Sequence, residues 1–319
     1  MSDGESMNEK ELQMMQNMDL GTKIMKSKLR IRQWYNHFTG NVYAAFSGGK
    51  DSTVLLDLVR QEFPDVPAVF VQTGLQYPEV REFVKTVDNV ITIKPKMTFK
   101  EIIEEHGYPI PTKMQAQYIE EYRNTGSNKL KKLRWEGEEK YGNYKISEQW
   151  KFLVDAPFKI SDKCCNYMKK GPLKRYQKET GNKPFIGTMA TDSGMRKQYA
   201  LKNGCNAYDG DNPISKPLTI WNENDVWEYI KKYNLDYSSI YDMEYKRTGC
   251  MFCLFGAHLE KPNRFQLMKK THPKIYNYCM KNIGLKKVIE YVNENAPNNK
   301  CKIPIKHRQL NLFSNIKTG

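Results

Sequence analysis

The sequence predicts an α/β fold, in which helices cover both faces of a parallel β-sheet. Short apolar runs alternate with amphipathic helical stretches over the first hundred residues and again after residue 183, and this alternation is typical of a parallel sheet. A loop with two adjacent glycines joins the first apolar run to a helical stretch. The chain has 319 residues, of which 39% are hydrophobic, so it is long enough to bury a core without disulfides.

The elements follow in order from periodicity and end signals. Residues 1–40 are predicted to be helical and amphipathic. Strands are predicted at 42–46, 67–71, 89–93, 184–189 and 214–218. Helices are predicted at 53–63, 78–87, 98–105 and 223–233, the last with Asn222 as its N-cap.

Changes in composition divide the chain into three parts. Residues 1–40 form an N-terminal helical segment. Residues 41–260 form the α/β domain, with an insertion or lid at about 114–158, where the alternation gives way to charged sequence rich in Tyr and Trp. Residues 261–319 form a basic helical tail.

The formal net charge of +15 is unevenly distributed. Basic residues concentrate at 129–134, at 163–178 and from residue 281 onward. Such clusters suit a polyanion, either RNA or DNA or the phosphates of a nucleotide, although a solvated charged face explains any one of them equally well. We expect a cytoplasmic protein without a membrane partner, because no apolar run reaches spanning length and the first residues do not resemble a signal peptide.

The loop after the first predicted strand has the composition of an anion-binding site. It consists of Ser47, Gly48, Gly49, Lys50, Asp51 and Ser52. Glycines let backbone N–H groups approach a phosphate closely, and the start of the next helix adds its positive end. The serine hydroxyls and the lysine ammonium supply further donors, while the aspartate suits Mg²⁺. The loop is not a Walker A motif, because Ala44 stands where its first glycine belongs.

These six residues resemble the SGG-x-DS pyrophosphate loop of the adenine-nucleotide α-hydrolase superfamily. Over about residues 40–260 the chain is most similar to the phosphoadenosine phosphosulfate (PAPS) reductase family within it. Residues 71–79 are similar to the family's D-T-G-x-x-(F/Y)-P-E segment, although Gln72 replaces the aspartate, and residues 216–227 are similar to P-L-x-x-W-x-x-x-D-V-W. The resemblance implies a Rossmann-like sheet and places Thr73 and Gly74 at the nucleotide.

Four of the seven cysteines form two close pairs, Cys164-Cys165 and Cys250-x-x-Cys253. Spacing alone allows zinc or a [4Fe–4S] cluster, since each binds four cysteines, although adjacent ligands are awkward for zinc. Residues 163–173 and 248–253 resemble the cysteine segments of iron–sulfur sulfonucleotide reductases. That resemblance implies a [4Fe–4S] cluster on the four thiolates, with Lys169 between cluster and substrate.

Residues 187–196 occupy the place of the family's G-x-R-x-x-(E/D)-S-x-x-R loop. Arg196 matches its last arginine and is a candidate phosphate ligand, whereas Met189 replaces the first arginine.

The C-terminal region lacks the E-C-G-L-H segment in which reductases of this type carry a mobile nucleophilic cysteine. The last cysteine of the chain, Cys301, lies between two lysines, which should lower its pKa. Cys301 is therefore a candidate nucleophile, and an incidental tail thiol is the alternative. The candidate catalytic residues are Lys50, Asp51, Lys169 and Cys301.

Three functions compete on these grounds, and the first is the one that we expect from the sequence. The first is ATP-dependent sulfur transfer, in which ATP with Mg²⁺ is cleaved to AMP and pyrophosphate while sulfur from a donor enters a nucleotide, nucleic-acid or small-molecule acceptor. The second is thiol-dependent reduction of adenylyl sulfate or PAPS to sulfite, with a thioredoxin-like reductant. The third is an iron–sulfur protein that binds nucleic acid without catalysis.

Overall fold

A computed structural model describes residues 6–138, 144–210 and 212–305. The chain divides into two compact units. The first consists of Met1–Thr98 and Asn166–Cys250, and the second of Phe99–Cys165 and Met251–Gly319. The last part of the predicted basic tail, beyond residue 305, lies outside the described residues, and the predicted domain boundaries at residues 40 and 260 stay predictions.

The first unit contains a six-stranded sheet in the order β3-β2-β1-β4-β6-β5. Its strands are β1 Val42–Phe46, β2 Ala68–Val71, β3 Val90–Ile93, β4 Lys183–Ile186, β5 Asn206–Ala207 and β6 Ile214–Ser215. All neighbours run parallel except β5 and β6, which are antiparallel. The predicted α/β fold with a parallel sheet is therefore confirmed.

The α-helices are numbered in chain order through both units. They are α1 Glu9–Gln16, α2 Leu20–His37, α3 Lys50–Glu62, α4 Pro78–Lys85, α5 Phe99–Glu105, α6 Lys113–Asn124, α7 Asn128–Glu136, α8 Gly171–Thr180, α9 Gly194–Asn203, α10 Glu223–Tyr233, α11 Arg264–Thr271, α12 Pro273–Lys281 and α13 Leu285–Asn295. Helix α10 matches its prediction, and the Asn222 side chain accepts N–H groups of its first turn.

Three predicted boundaries differ from the structure for local reasons. Helix α3 begins at Lys50 rather than at residue 53, so the second half of the glycine loop is its first turn. Strand β4 ends at Ile186, which leaves residues 187–189 in the loop that follows its carboxyl end. Strand β6 ends at Ser215, because Pro217 has no N–H and the Thr219 N–H turns back to the Lys216 carbonyl at 3.0 Å.

The N-terminal helices belong to the core of the first unit. Leu12 of α1 and Trp34 of α2 are buried in the same apolar cluster as the sheet residue Phe185. Helix α2 also contributes two buried polar contacts. Lys23 Nζ lies 2.6 Å from Asp225 Oδ2, and Ser27 accepts the indole N–H of a buried tryptophan at 2.9 Å. The sequence indicated a helix here and no polar function.

The second unit is helical. Within the predicted insertion at 114–158 the structure places most of α6, α7 and a 3₁₀ helix at Glu148–Asp155. The guanidinium of Arg123 donates to carbonyls of Leu153, Val154, Ala156 and Phe158, and thereby satisfies the end of the 3₁₀ helix. In the described parts of the chain, no helix combines the length and the apolar character that a membrane span requires.

Candidate active site

A cavity of about 570 Å³ lies where β1, β2 and β4 end, and residues of the first unit line all of it. In open α/β sheets the chain leaves neighbouring strands in opposite directions at such a point, and the resulting crevice binds ligands. The volume is in the usual range for a small-molecule site, roughly 300–1,000 Å³. The cavity is therefore the candidate active site.

The predicted pyrophosphate loop forms one wall. Ser47 N–H donates to Ser52 Oγ at 3.1 Å, and the Ser52 hydroxyl donates to the Gly49 carbonyl at 2.8 Å. Gly48 has a φ of +72°, and a Cβ there would lie 2.8 Å from Val80 and from a second valine of α4. Glycine is thus required at this position for conformation and for space. The loop leads directly into α3, whose N-terminal end carries partial positive charge.

Lys50, the first residue of α3, is buried beside the loop and has three acceptors. Its Nζ lies 3.4 Å from Asp51 Oδ1, 3.3 Å from Glu223 Oε1 and 3.4 Å from the Lys246 carbonyl. Burial lowers the pKa of Lys50, but the charge of Asp51, the Tyr241 ring and Glu223 outweigh burial and raise that pKa above its usual value. Lys50 is therefore a cation at neutral pH.

Asp51 contributes a carboxylate to the same cavity. Burial raises its pKa, Lys50 opposes this, and the carboxylates of Asp192 and Glu223 raise the pKa further. Its Oδ1 atom is buried and has the Lys50 ammonium, 3.4 Å away, as its ion-pair partner. Among these residues, no group of three or more His, Cys, Asp or Glu side chains has the arrangement of a metal site.

The predicted nucleotide residues after β2 divide between the cavity and its support. Thr73 lines the cavity, and its Oγ1 accepts the Leu75 N–H at 3.1 Å, which fixes the turn. Gly74 and Gly48 are absent from the cavity wall. Gly74 has a φ of +75° and serves the turn.

The loop after β4 supplies the opposite wall. Gly187 passes so close to α3 that a Cβ there would lie 2.9 Å from the Asp51 carbonyl oxygen. Asp192 accepts the Met189 N–H at 3.0 Å and forms an ion pair with Arg196. Arg196 therefore lies at the cavity with its guanidinium paired to a carboxylate, and its role as a phosphate ligand stays a prediction. Met189 is buried and makes the adjoining wall apolar.

The sequence patterns assigned no site role to several polar residues of the cavity wall, among them Glu223, Tyr241, Arg247 and Thr248. Three of them precede the Cys250-x-x-Cys253 motif, and their only signal was that proximity. Tyr241 Oη accepts the Lys50 N–H at 2.9 Å, and burial raises the pKa of Tyr241. With these residues included, four cations and three carboxylates surround the cavity: Lys50, Lys169, Arg196 and Arg247, with Asp51, Asp192 and Glu223.

The family model of the phosphoadenosine phosphosulfate reductase domain matches residues 41–141 and 112–254, which is more than half of the chain. The chain belongs to the PAPS reductase family. The matched residues include the pyrophosphate loop, the Arg196 loop and all four clustered cysteines.

Relatives agree with this assignment. The chain is 27% identical to adenosine 5′-phosphosulfate reductase of Bacillus velezensis over 257 residues, which covers 77% of this chain and 89% of the relative. It is 26% identical to adenosine 5′-phosphosulfate reductase 1 of Bacillus subtilis, with the same coverage. A solved structure, the PAPS reductase of Candida auris in a phosphate complex, is 18% identical with a TM-score of 0.43 and covers 77% of this chain and 97% of its own.

The cysteine pairs of this PAPS reductase family member fall in both units. Cys250 lines the cavity and belongs to the first unit, whereas Cys164, Cys165 and Cys253 belong to the second. Cys164 is buried and the other three are partly buried. Lys169, in a π-helical turn before α8, is exposed and lines the cavity, as a residue that attracts an anionic substrate would.

The predicted low pKa of Cys301 is wrong. Its thiol is 1% exposed and donates to Gln149 Oε1 and Asn298 Oδ1, each at 3.6 Å. Burial raises the pKa of Cys301, and the hydrogen bond with Asn298 only partly offsets this. The flanking residue Lys300 is exposed to solvent, so its charge does not compensate for burial of the thiol.

Proposed function

We propose that this protein is an enzyme that binds an adenylyl sulfonucleotide, either adenylyl sulfate or PAPS, in the cavity and reduces its sulfo group to sulfite. The observation that carries the proposal is the pyrophosphate loop, which opens into a cavity lined by Lys50, Lys169, Arg196 and Arg247. A loop of N–H donors with four surrounding cations suits a phosphosulfate anion. The PAPS reductase domain and the relatives named adenosine 5′-phosphosulfate reductase support the same substrate class.

The reaction balances with two thiols. A thiolate attacks the sulfur of the sulfo group, the bond from sulfur to the bridging oxygen breaks, and its electron pair leaves with the nucleotide phosphate. The product on the thiol is an S-sulfonate. A second thiol attacks the thiol sulfur of that S-sulfonate, which forms a disulfide and releases sulfite. The protein contributes by stabilising the charge that grows on the departing phosphate, through Lys50, Arg196 and the loop N–H groups.

The identity of the thiol that attacks first can be tested directly. Cys301 is buried and carries a raised pKa, so it must leave its position between Gln149 and Asn298 in order to react. We therefore assign the first attack to the external thioredoxin-like reductant. A C301S variant that releases sulfite at the wild-type rate supports this assignment, and one that has lost the activity while retaining its fold identifies Cys301 as the nucleophile.

We further propose that Cys164, Cys165, Cys250 and Cys253 hold a [4Fe–4S] cluster. The donor set fits, because four thiolates are the usual ligands of this cluster. When bound, the cluster supplies a redox-active centre whose potential responds to nearby charge. Iron and acid-labile sulfide, measured after anaerobic purification, should be present in the wild type and lost in C250S. The control C205S should retain both.

A second candidate function is cleavage of ATP to AMP and pyrophosphate with sulfur transfer to an acceptor. The observation that favours it is the set of three carboxylates at the cavity, Asp51, Asp192 and Glu223, which suits a nucleotide that arrives with Mg²⁺. In this reaction the pyrophosphate loop would bind the pyrophosphate that leaves ATP.

Product analysis decides between the two. Anaerobic protein is incubated with adenylyl sulfate or PAPS plus a thioredoxin system, and separately with ATP, Mg²⁺ and sulfide. Sulfite with AMP or its 3′-phosphorylated analogue supports the reductase, whereas AMP with pyrophosphate from ATP supports the transferase. ADP with phosphate from ATP contradicts the transferase. A K50M variant serves as the background control.

A further inference from the structure

One segment of the first unit lies across the pyrophosphate loop. We call residues 239–249 the strap. Tyr241 and Thr248 of the strap approach the loop so closely that a Cβ on Gly49 would lie 2.6 Å from Thr248 Oγ1 and 3.2 Å from Tyr241 Oη. The strap also provides the Lys246 carbonyl, which accepts from Lys50 Nζ at 3.4 Å. Strap and loop are therefore in direct contact.

The strap is held in place by aromatic contacts. The Tyr241 ring packs edge-on against Trp227, with centroids 5.4 Å apart and planes at 90°. The ring of Tyr237, which precedes the strap, lies 5.3 Å from the Trp227 ring and 6.3 Å from the Tyr241 ring. Tyr245 is buried with its ring 4.7 Å from that of Tyr77. These contacts position the Tyr241 hydroxyl rather than leave it to a mobile side chain.

The hydroxyl of Tyr241 accepts a backbone N–H group that a bound phosphate could also use. Gly49 is the N-cap of α3 and has no side chain that could accept the first N–H groups of the helix. The Lys50 N–H donates instead to Tyr241 Oη at 2.9 Å. This N–H is one of the groups with which a glycine loop before a helix binds phosphate. Because its pKa is raised, Tyr241 stays a neutral hydroxyl and is a weaker acceptor than a phosphate oxygen.

We propose that Tyr241 is an internal competitor for the phosphate of the substrate: its hydroxyl holds the Lys50 N–H in the ligand-free protein, and a phosphate oxygen of the bound nucleotide replaces it. Tyr241, a residue of the strap, thus lowers the affinity of the loop for the substrate. The inference rests on the proposed function, in that it takes the loop as the phosphate site. The alternative is that Tyr241 donates to the phosphate and strengthens binding.

Affinity for inorganic pyrophosphate, measured by calorimetry, separates these roles. A Y241F variant keeps the ring against Trp227 and removes only the hydroxyl, so pyrophosphate should bind about 2- to 10-fold more tightly, the equivalent of one net hydrogen bond. The matched control is Y35F, because Tyr35 stacks on Phe63 and is not part of the cavity wall; its affinity should equal that of the wild type. Weaker or unchanged binding in Y241F overturns the inference.

Trp227 reports on the displacement itself. Saturating pyrophosphate should change the tryptophan emission of the wild type and of Y35F, and a W227F variant should lose that change. Emission that does not respond to bound pyrophosphate overturns the displacement. Adenylyl sulfate is titrated in parallel. If neither anion binds the wild type, the proposed function fails and the inference with it. If both bind with equal affinity to Y241F and wild type, only the inference fails.

Discussion

Two buried lysines of the first unit show how differently one residue type is used. Lys23 of α2 is 2% exposed in its side chain and has one close carboxylate partner, Asp225 at 2.6 Å. Lys50 of α3 is 5% exposed, and its three acceptors all lie at 3.3–3.4 Å. The first ammonium is committed to a short ion pair in the core, whereas the second faces a cavity among longer contacts.

The difference separates a structural cation from a functional one. A buried ammonium with a single short partner leaves no position for a ligand, and loss of either member strands the other charge in the core. An ammonium with several longer contacts at a cavity wall can exchange one of them for a phosphate oxygen. Lys23 therefore links α2 to α10, and we expect Lys50 to contact the substrate. The following four variants test this distinction, from the largest expected effect to the smallest.

Replacement of Lys23 should damage stability most. A K23M variant leaves Asp225 buried without its cation, so the free energy of unfolding should fall by about 3–5 kcal/mol. Urea denaturation measures the loss. The matched control is K28M on the same helix, whose partner Glu62 keeps a second cation, Arg32, and whose loss should stay within about 1 kcal/mol. If K23M and K28M lost the same free energy of unfolding, the buried Lys23–Asp225 ion pair would contribute no more than an exposed one.

Replacement of Lys50 should affect binding rather than folding. Loss of a charge-assisted contact lowers pyrophosphate affinity by about 1.5–3 kcal/mol, or roughly 10- to 150-fold, while the urea midpoint changes little. Calorimetry and denaturation on the same K50M sample test both parts. K85M, an exposed lysine on α4, is the control. If K50M unfolded at as low a urea concentration as K23M, Lys50 would stabilise the fold as Lys23 does.

Replacement of Gly49 tests the contact between loop and strap. In G49A the new Cβ would meet Thr248 Oγ1 at 2.6 Å, so Thr248 or the loop must shift. Such overpacking should lower the free energy of unfolding by about 1–3 kcal/mol, measured by urea denaturation. The control G194A adds a Cβ into open space and should be at least as stable as the wild type. Wild-type stability in G49A would mean that the contact between loop and strap has room for a Cβ.

Lys216 lies outside the ion pair and the loop, and its replacement should show as a change in the pH dependence of stability. Burial, and then the charge of Arg196, lowers the pKa of Lys216 to about 8. Between this value and the ordinary lysine pKa of about 10.5, the unfolded chain binds a proton that the folded chain lacks, so stability rises with pH across that window. The rise should be smaller in K216M than in wild type and unchanged in K202M, an exposed lysine. If stability rose equally with pH in the wild type, K216M and K202M, the lowered pKa of Lys216 would be contradicted.

Much of the fold was predictable because its signals are local. The apolar run of β1 and the N-cap and periodicity of α10 each lie within a dozen residues, and the structure matches both predictions. The errors occurred where a tertiary contact or a turn overrides the pattern. Strand β6 stops at Ser215 although apolar residues continue, and α3 begins at Lys50 because the loop turns directly into the helix.

The sequence by itself determined the α/β fold and the family, and it predicts the pyrophosphate loop and the four cluster cysteines, since each of these signals depends on residues close together in the chain. Only the tertiary structure decided which distant groups meet the loop. Tyr241 is 191 residues from Lys50 in sequence, yet its hydroxyl accepts the Lys50 N–H. Likewise, Cys301 lies between lysines in sequence, but packing buries its thiol and raises its pKa. Periodicity and capping act along the chain, whereas desolvation and long-range contacts arise only when separate elements pack together.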